Sequence, residues 1–533
     1  MDMSGPAPSV AAAAVDSVSR RTLPALLELS ARWKGDDVLL EDEHEALTAP
    51  AVLDAVQRAA GGLVEAGVGK GDTVAFLVGS SVRHAVTLFA CAQIGALPCA
   101  LHARDVPLRL AHVVDWLGAR LLVTDADRDG LAREVQRLTK VRPRLLALSA
   151  AVDGDALAYG DLVRSAPRTT CDVTDDDPAY IILSSGTTGE PKGIVHRHRT
   201  GWAAGVMGGP VYGDIGRSDR LLIPMAPSFA AWFNLSLPFL AARSTLVFRG
   251  RYDPAAYVAD LVQARITYAA LTPTLWRLAL RAADSTGALE HVRYAFFSGE
   301  PGSADLIAAI ADVLPSASIR QAYLSSEGGA AAGVVADHEL LVTCGRPTAA
   351  GLPAPGADLR VVALGGSPNV PLASGEVGEI ALTGASLADT YWADNDQTHR
   401  RFVDGWWLTG DIGYQEPDGH VYVTGRTDNV INTGGVKVHA EEVEAALLSH
   451  PDIELAAVVG VTDETWGTAI EAHVVARTAD LTEADILAYC RSLPTLPVFK
   501  VPKRVVFHET LPTTATGKIS RRALRPGAPP PAA

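Results

Sequence analysis

Short apolar, β-branched runs alternate along most of the chain with stretches of helical periodicity. Thr73–Val78 predicts a buried strand, and Val82–Ile94 predicts a helix that ends near Gly95. Later runs repeat this alternation: Leu121–Thr124, Leu221–Pro224, Ser244–Phe248 ahead of the helical Pro254–Ala264, Ile266–Leu271 and Val292–Phe297. Because strands separated by helices form right-handed crossovers, we expect a large α/β domain of mostly parallel sheets with flanking helices. Binding sites in such sheets lie beyond the carboxyl ends of the strands.

The pattern changes near residue 425, where shorter strands and helices follow one another more closely. The predicted elements are strands at Val421–Thr424, Val430–Asn432, Leu455–Val461 and Glu471–Ala476, and helices at Ala440–Leu448 and Glu483–Leu493. We therefore predict a large domain over residues 21–427 and a small α+β domain over 428–525. Residues 1–20 and the Pro/Ala-rich 526–533 are predicted to be disordered ends.

Composition narrows the class of protein without naming a function. The 533 residues include 46 Lys+Arg and 61 Asp+Glu, a net charge of −15, which argues against a nucleic-acid-binding protein. Hydrophobic residues make up 48%, so the chain is not disordered as a whole. Five scattered cysteines without a CxxC pair indicate reduced thiols rather than disulfides or a zinc site. No apolar run is long enough to span a membrane, and the N-terminus lacks a basic segment typical of secretory signals, so we expect a cytoplasmic protein.

The most informative segment is YIILSSGTTGEPKGIVHRH, residues 180–198. A strand over Tyr180–Leu183 leads into a loop of small and hydroxyl residues: Ser184, Ser185, Gly186, Thr187, Thr188 and Gly189, followed by Lys192. Glycines let backbone N–H groups converge on phosphate oxygens, and a lysine adds positive charge. The alternative without a function is a mobile linker. A kinase-type P-loop is excluded because Pro191 and Lys192 occupy the positions where its sequence pattern has Gly-Lys. The basic run His196-Arg197-His198-Arg199 is open to two interpretations: it could attract ATP, or it could form the first turn of a packed helix. We favour the helix for His198.

The same loop, SSGTTGEPKG, resembles the phosphate loop of the adenylate-forming superfamily, which includes acyl- and aryl-CoA synthetases. Four later segments match that family in order: YLSSE (323–327), LTGD (408–411), GRTDNVINTGG (425–435) and PTTATGKISR (512–521). The resemblance therefore covers nearly the whole chain.

The resemblance implies a role for each matching residue. Residues 185–192 would hold the β- and γ-phosphates of ATP, and Glu327 would bind Mg²⁺. The adenine would contact Tyr323 and the Gly299-Glu300-Pro301 segment, and the α-phosphate would contact Ser326. Asp411 would accept the ribose hydroxyls, and Arg426 would touch the ribose or a phosphate. Lys518 would be the catalytic lysine, drawing the substrate carboxylate and the α-phosphate together. Asp428 would be the hinge, and Gly434, Gly435 and Lys437 would line the channel of the incoming thiol. Taken singly, each of these is as readily a solvated surface or turn residue.

The acid-binding pocket departs from the family pattern. It is expected to be formed by Ser228, Phe229, Trp232, Ser298, Leu324 and Ser325. No acidic residue lies between Pro224 and Leu240, so an amino-acid ammonium group would lack a counter-charge. Leu324 stands where a glycine is usual and is expected to shorten the pocket, which favours a compact, aromatic acid.

Three hypotheses remain at this point. The leading one is an ATP-dependent acid:CoA ligase that uses ATP, Mg²⁺ and CoA on a small carboxylic acid. The second is a stand-alone adenylation enzyme that passes the acyl group to the phosphopantetheine of a carrier protein or to another small nucleophile. The third is an inactive nucleotide-binding relative, disfavoured because Lys518, Glu327 and Asp411 are all present. A homodimer is compatible with each of them.

Overall fold

The computed structural model describes residues 20–149, 156–185, 191–282, 289–300, 302–433, 436–463, 466–494, 496–513 and 519–525. Two compact units emerge: residues 1–359 with 382–407, and residues 360–381 with 408–533. The division at 407/408 lies upstream of the boundary at Asp428 expected from the sequence, and the hinge at Asp428 stays a prediction.

Strands and helices are numbered here in chain order. The strands are β1 (Val38–Glu41), β2 (Ala46–Thr48), β3 (Thr73–Leu77), β4 (Leu97–Ala100), β5 (Leu121–Thr124), β6 (Arg144–Ala147), β7 (Leu157–Ala158), β8 (Pro178–Ser185), β9 (Pro191–Arg197), β10 (Arg220–Ile223), β11 (Thr245–Phe248), β12 (Tyr268–Leu271), β13 (Tyr294–Ser298), β14 (Ser318–Tyr323), β15 (Val334–Ala336), β16 (Leu352–Pro353), β17 (Ala357–Val362), β18 (Gly378–Gly384), β19 (Thr390–Tyr391), β20 (Phe402–Val403), β21 (Trp406–Gln415), β22 (Val421–Arg426), β23 (Val430–Thr433), β24 (Val436–His439), β25 (Ile453–Asp463), β26 (Gly467–Ala476) and β27 (Arg504–Phe507). The helices are α1 (Leu23–Lys34), α2 (Ala49–Glu65), α3 (Val82–Ile94), α4 (Pro107–Leu117), α5 (Asp129–Leu138), α6 (Tyr159–Leu162), α7 (His198–Tyr212), α8 (Ala230–Ala241), α9 (Pro254–Gln263), α10 (Pro273–Ala282), α11 (Ala304–Val313), α12 (Asn395–Arg401), α13 (Ala440–Leu448), α14 (Glu483–Ser492) and α15 (Arg521–Leu524).

Two large sheets organise the first unit. One has nine strands in the order β16-β15-β14-β13-β12-β10-β11-β1-β2, and the other has eight in the order β19-β9-β8-β4-β3-β5-β6-β7. Pairing is parallel from β14 through to β1 and from β8 through to β7, and antiparallel strands lie at the edges. The prediction of mostly parallel sheets with intervening helices is therefore confirmed.

Local sequence explains why these elements begin and end where they do. Helix α3 begins after Ser81, whose side chain accepts a hydrogen bond from the backbone N–H of His84. It ends at Gly95, which adopts a left-handed conformation with φ of 74°. Both apolar faces of β3 are fully buried, as expected for a central strand covered by helices on both sides.

The second unit contains most of a five-stranded sheet, ordered β17-β18-β21-β20 with β22 beside β21. It also contains the β23–β24 hairpin and the sheet β25-β26-β27, whose apolar side pairs with α13 and α14 in a separate core. Strands β24 and β27 were absent from the sequence prediction, while the helix at Ala440–Leu448 was predicted with its observed bounds.

Among the described helices, none combines the length and the hydropathy of a membrane-spanning segment. All five cysteines lie in the described residues, and none of them forms a disulfide.

Candidate active site

The predicted phosphate loop joins the antiparallel strands β8 and β9. Ser184 lies opposite Lys192, and Ser185 lies opposite Pro191, so the two strands bring both ends of the loop together. Gly186, Thr187, Thr188 and Gly189 lie outside the described residues. Strand β8 is also the neighbour of β4 in the parallel part of the sheet, which puts Ser184 and Ser185 at the carboxyl end of a parallel strand, where ligands bind in such sheets.

Lys192 forms an ion pair with Glu327, 135 residues further along the chain. The Lys192 Nζ to Glu327 Oε1 distance is 3.1 Å, and only 17% and 9% of the two side chains are exposed. The Tyr391 hydroxyl donates a hydrogen bond to the same oxygen, also at 3.1 Å. Burial, with the charge of Glu327, raises the pKa of Tyr391, so its hydroxyl stays protonated and able to donate.

The segment after β14 is held by its backbone. The Ser326 carbonyl lies 2.8 Å from His196 Nε2, and the Ser325 carbonyl lies 3.5 Å from Asn234 Nδ2. Burial lowers the pKa of His196, so the ring is neutral, and a proton on Nε2 is the assignment that lets it donate to Ser326. Tyr323 ends β14 and is partly exposed. The segment is thus fixed from two other elements, β9 and α8.

The predicted adenine-binding segment follows β13. Ser298 is the last residue of that strand, and Gly299 adopts a φ of 88°, a conformation that favours glycine. The Glu300 carboxylate accepts a hydrogen bond from the Thr274 hydroxyl at 2.8 Å. Pro301 lies outside the described residues.

The predicted acid-pocket residues differ widely in their surroundings. Ser228 is buried, and the ring of Phe229 lies 5.7 Å from that of His102. Trp232 is fully buried, with its ring in contact with those of His84, Phe233 and Phe248. A Cβ added to Gly333 would come within 2.4 Å of Leu324 Cδ2, so the Leu324 side chain packs against that glycine. Their role in a pocket stays a prediction.

Asp411 and Arg426 lie opposite each other on β21 and β22 of the second unit. Arg426 Nη1 donates to Asp411 Oδ1 at 2.7 Å, and the Asp411 side chain is 11% exposed. A carboxylate that is largely buried and charge-compensated in this way is preorganised to accept hydroxyl hydrogen bonds.

The remaining predicted residues follow in the second unit. Asp428 is exposed in a single 3₁₀ turn, Thr427–Asn429, and Lys437 belongs to β24. Gly434, Gly435 and Lys518 lie outside the described residues. Next to Lys518, Thr513 pairs with Ile519, and Arg521 makes two hydrogen bonds to the Glu444 carboxylate.

Sequence reasoning missed two residues near Glu327, Tyr391 and Trp407. It also missed the contact between His196 and the Ser326 carbonyl. Tyr391 contacts Glu327 from 64 positions away, and Trp407 contacts Tyr391, so no local spacing in the motif of Glu327 marks them. His196 was noticed only as part of a basic run, whereas it is 1% exposed and uncharged. The expectation that His198 starts a packed helix is confirmed, since α7 begins there and the residue is fully buried.

The donor set around Glu327 is compatible with magnesium. Within the described ranges, no three His, Cys, Asp or Glu side chains converge as a ready-made metal site. A single carboxylate is nevertheless what Mg²⁺ commonly takes from a protein when phosphate oxygens and water complete its shell.

Comparison with known proteins decides the family. The sequence model of the AMP-binding enzyme family matches residues 27–392, and that of the AMP-binding enzyme C-terminal domain matches residues 442–518. The chain belongs to the AMP-binding enzymes. It is 32% identical to a feruloyl-CoA synthase of an Amycolatopsis species, over 90% of this chain and 94% of the relative. It is 30% identical to a 4-chlorobenzoate–CoA ligase of an Arthrobacter species, over 95% of each chain.

Among solved structures, ATP-bound MatB from Rhodopseudomonas palustris has the same fold. The TM-score is 0.83 at 24% identity, and the match covers 95% of this chain and 98% of that one. Together these matches confirm the predicted adenylate-forming family, its α/β fold and the reaction class of an AMP-forming acid–thiol ligase.

Proposed function

We propose that this AMP-binding enzyme activates a small aromatic carboxylic acid with ATP and transfers the acyl group to the thiol of CoA. In the first step a carboxylate oxygen attacks the α-phosphorus of ATP, the bond to the β-phosphate oxygen breaks, and pyrophosphate leaves with acyl-AMP formed. In the second step the thiol sulfur attacks the acyl carbon, the thiol proton is released, and AMP leaves with the carboxylate oxygen. The observation that supports the proposal most strongly is the buried Lys192–Glu327 ion pair. Lys192 lies on the phosphate hairpin, the pair of strands β8 and β9 that the predicted phosphate loop joins.

Each residue role in the first step is part of the proposal. Lys192 and the loop ahead of it bind the leaving pyrophosphate, and Glu327 holds Mg²⁺, which neutralises phosphate charge when bound. Tyr323 and the Gly299–Glu300 segment bind adenine, and Asp411, compensated by Arg426, accepts the ribose hydroxyls. Ser326 binds the α-phosphate, a role that the anchored backbone of its segment supports. Lys518 draws the two anions together as they react.

An aromatic acid is favoured by both the sequence and the relatives. The chain has no Asp or Glu between Pro224 and Leu240 to pair with a substrate ammonium, which disfavours amino acids. The ring of Phe229, which follows the buried Ser228, lies 5.7 Å from the ring of His102, and these neighbouring rings support a site that takes an aromatic acid. The two relatives are named for ferulate and 4-chlorobenzoate, which are both aryl acids.

CoA is the proposed acceptor, and a carrier-protein phosphopantetheine is the alternative because both carry the same thiol arm. On the small unit, Lys503 Nζ lies 5.1 Å from the ring centroid of Trp466, whose surface is 46% exposed. An exposed aromatic ring beside a cation suits the nucleotide end of CoA, which a carrier protein lacks. A cytoplasmic location belongs to the proposal, since five unpaired cysteines fit a reducing compartment. Whether the chain acts as a monomer or a homodimer has no bearing on these steps.

Acid-dependent pyrophosphate release tests the proposal. Purified protein with MgATP is offered benzoate, ferulate, 4-chlorobenzoate, short acyl acids and amino acids, each with and without CoA. We expect release with at least one aryl acid and acyl-CoA only when CoA is present. Acyl-AMP that forms but never reaches CoA would move the acceptor to a carrier protein, and no release with any aryl acid would refute the substrate class.

A further inference from the structure

Tyr391 lies on the two-residue edge strand β19, and contacts with three neighbouring residues hold it in place. It pairs with Ile194 on β9, the strand that begins with Pro191 and Lys192. Its backbone N–H donates to the Thr398 hydroxyl at 3.0 Å, its ring contacts that of Phe402, and the residue is 2% exposed. The side chain is therefore held beside the phosphate hairpin in one orientation.

The hydroxyl of Tyr391 has two partners with opposite roles. The indole Nε1–H of Trp407 can only donate, and it lies 3.1 Å from the Tyr391 oxygen. With a lone pair taken by Trp407, the hydroxyl proton is directed at the Glu327 carboxylate, also at 3.1 Å. The series of hydrogen bonds from Trp407 to Tyr391 and from Tyr391 to Glu327 thus orients the Glu327 carboxylate.

The ring of Tyr391 has a separate partner in Lys192. The Lys192 Nζ lies 3.9 Å from the ring centroid, within the range of a cation–π contact. The same ammonium group is hydrogen-bonded to Glu327 Oε1. One tyrosine therefore touches both members of the ion pair, one through its hydroxyl and the other through its face.

This arrangement matters because Glu327 has two competing cations. A metal ion bound to that carboxylate would repel the ammonium group of Lys192 and weaken its bond to Oε1. Tyr391 is not charged, so a bound metal ion would not repel it, and its contacts with Glu327 and with Lys192 do not depend on the bond between those two residues.

We infer that Tyr391, oriented by Trp407, is a positioning residue that holds Glu327 ready for Mg²⁺ and retains Lys192 when the two cations exchange. The inference rests on the proposed function, since it assumes that Glu327 binds the metal of MgATP. It assigns a metal-site role to two residues that lie outside the five motifs matched in the sequence.

The test measures Mn²⁺ binding in the presence of α,β-methylene-ATP, which is not cleaved, with free Mn²⁺ quantified by electron paramagnetic resonance. Tyr391→Phe removes only the hydroxyl, and we expect the Mn²⁺ dissociation constant to rise about tenfold, the scale of a lost hydrogen bond to a charged group. Trp407→Phe leaves that hydroxyl in place but unoriented, and we expect a rise of about threefold. Tyr252→Phe is the matched control, because its hydroxyl donates at 2.7 Å to the Leu275 carbonyl, remote from this cluster, and binding should be unchanged.

The outcomes separate this inference from the proposed function. Unchanged Mn²⁺ binding in Tyr391→Phe, with loss in Glu327→Gln, overturns the inference alone. Unchanged binding in Glu327→Gln overturns it together with the metal role of that carboxylate. An equal loss in Tyr252→Phe also overturns it, because the effect would then be structural. The measurement needs neither acid nor thiol, so a failure to activate any acid would refute the proposed function and leave this result intact.

Discussion

Replacing Lys192 by methionine tests how strongly the nucleotide-free site depends on its own ion pair. The change keeps the unbranched shape of the side chain but removes its terminal ammonium group, which leaves the Glu327 carboxylate, 9% exposed, without its cation. We expect the nucleotide-free protein to be destabilised, whereas the Mg²⁺ ion that enters with ATP would supply a positive charge to Glu327 in the working enzyme.

The magnitude follows from the burial of the two partners. Removing one member of a buried pair costs about 3–5 kcal/mol, and an exposed pair is worth about 0–1 kcal/mol. Lys192 is 17% exposed and Glu327 keeps its hydrogen bond from Tyr391, so we expect a loss of about 2–3 kcal/mol, towards the buried limit. At about 2–4 °C per kcal/mol for a large cooperative unit, the unfolding midpoint should fall by roughly 4–12 °C.

The assay is thermal unfolding of Lys192→Met, Glu327→Gln and the double variant, without nucleotide. Because the double variant has no buried charge left over, it should lose about 2 kcal/mol less than the sum of the single changes. Arg58→Met is the control, since Arg58 and Asp54 form an exposed pair of 37% and 57% exposure and the change should cost under about 0.5 kcal/mol. A Lys192→Met variant as stable as Arg58→Met, or single changes that simply add, would refute the reasoning.

Three further predictions follow from other parts of the molecule. Asp411→Asn should raise the KM for ATP about tenfold, because the amide loses both the charge held by Arg426 and one acceptor oxygen; an unchanged KM in initial-rate kinetics would contradict the ribose role. Lys503→Ala should raise the KM for CoA several-fold with acid-dependent ATP–pyrophosphate exchange unchanged, whereas an unchanged KM would favour a carrier-protein acceptor. Burial lowers the pKa of His84 to about 3, so below its unfolded value of about 6.5 the unfolded chain binds more protons and stability falls as the pH falls. His84→Phe should remove about 2 kcal/mol of the stability lost between pH 6.5 and pH 5 in urea unfolding, and equal acid sensitivity of the two proteins would contradict this.

The local parts of the fold were predictable because they are written in consecutive residues. The alternation of apolar runs and helical stretches placed α3 and β5 with their observed bounds, and the Ser81 and Gly95 caps are ordinary helix signals. Apart from β22, the five-stranded sheet was missed, since residues 357–415 do not follow that alternation. Strand β27 was also missed, because it is only four residues long and its parallel pairing with β26 is seen only in the folded chain.

The candidate site likewise has parts that the sequence predicted and parts that it could not predict. Its motifs could be found from sequence because each is a run of residue types suited to phosphate, metal or ribose. The contacts that organise them could not, since Lys192 and Tyr391 reach Glu327, and Trp407 reaches Tyr391, from separate strands that only the folded chain brings together. Similarly, His196 looks like surface charge in sequence, whereas its burial, with the ring stacked on that of Tyr180, lowers its pKa and keeps it neutral.

The central claim is that the acid is activated as an acyl-adenylate, and the fate of its carboxylate oxygen tests this most directly. The aryl acid identified by pyrophosphate release is prepared with ¹⁸O in both carboxylate oxygens and incubated with MgATP, CoA and the protein, and the nucleotide products are analysed by mass spectrometry. The account predicts AMP that carries one ¹⁸O atom, because the oxygen that attacks the α-phosphorus leaves with AMP when the thiol displaces it. Label in inorganic phosphate with ADP as the nucleotide product, or unlabelled AMP alongside acyl-CoA, would contradict it.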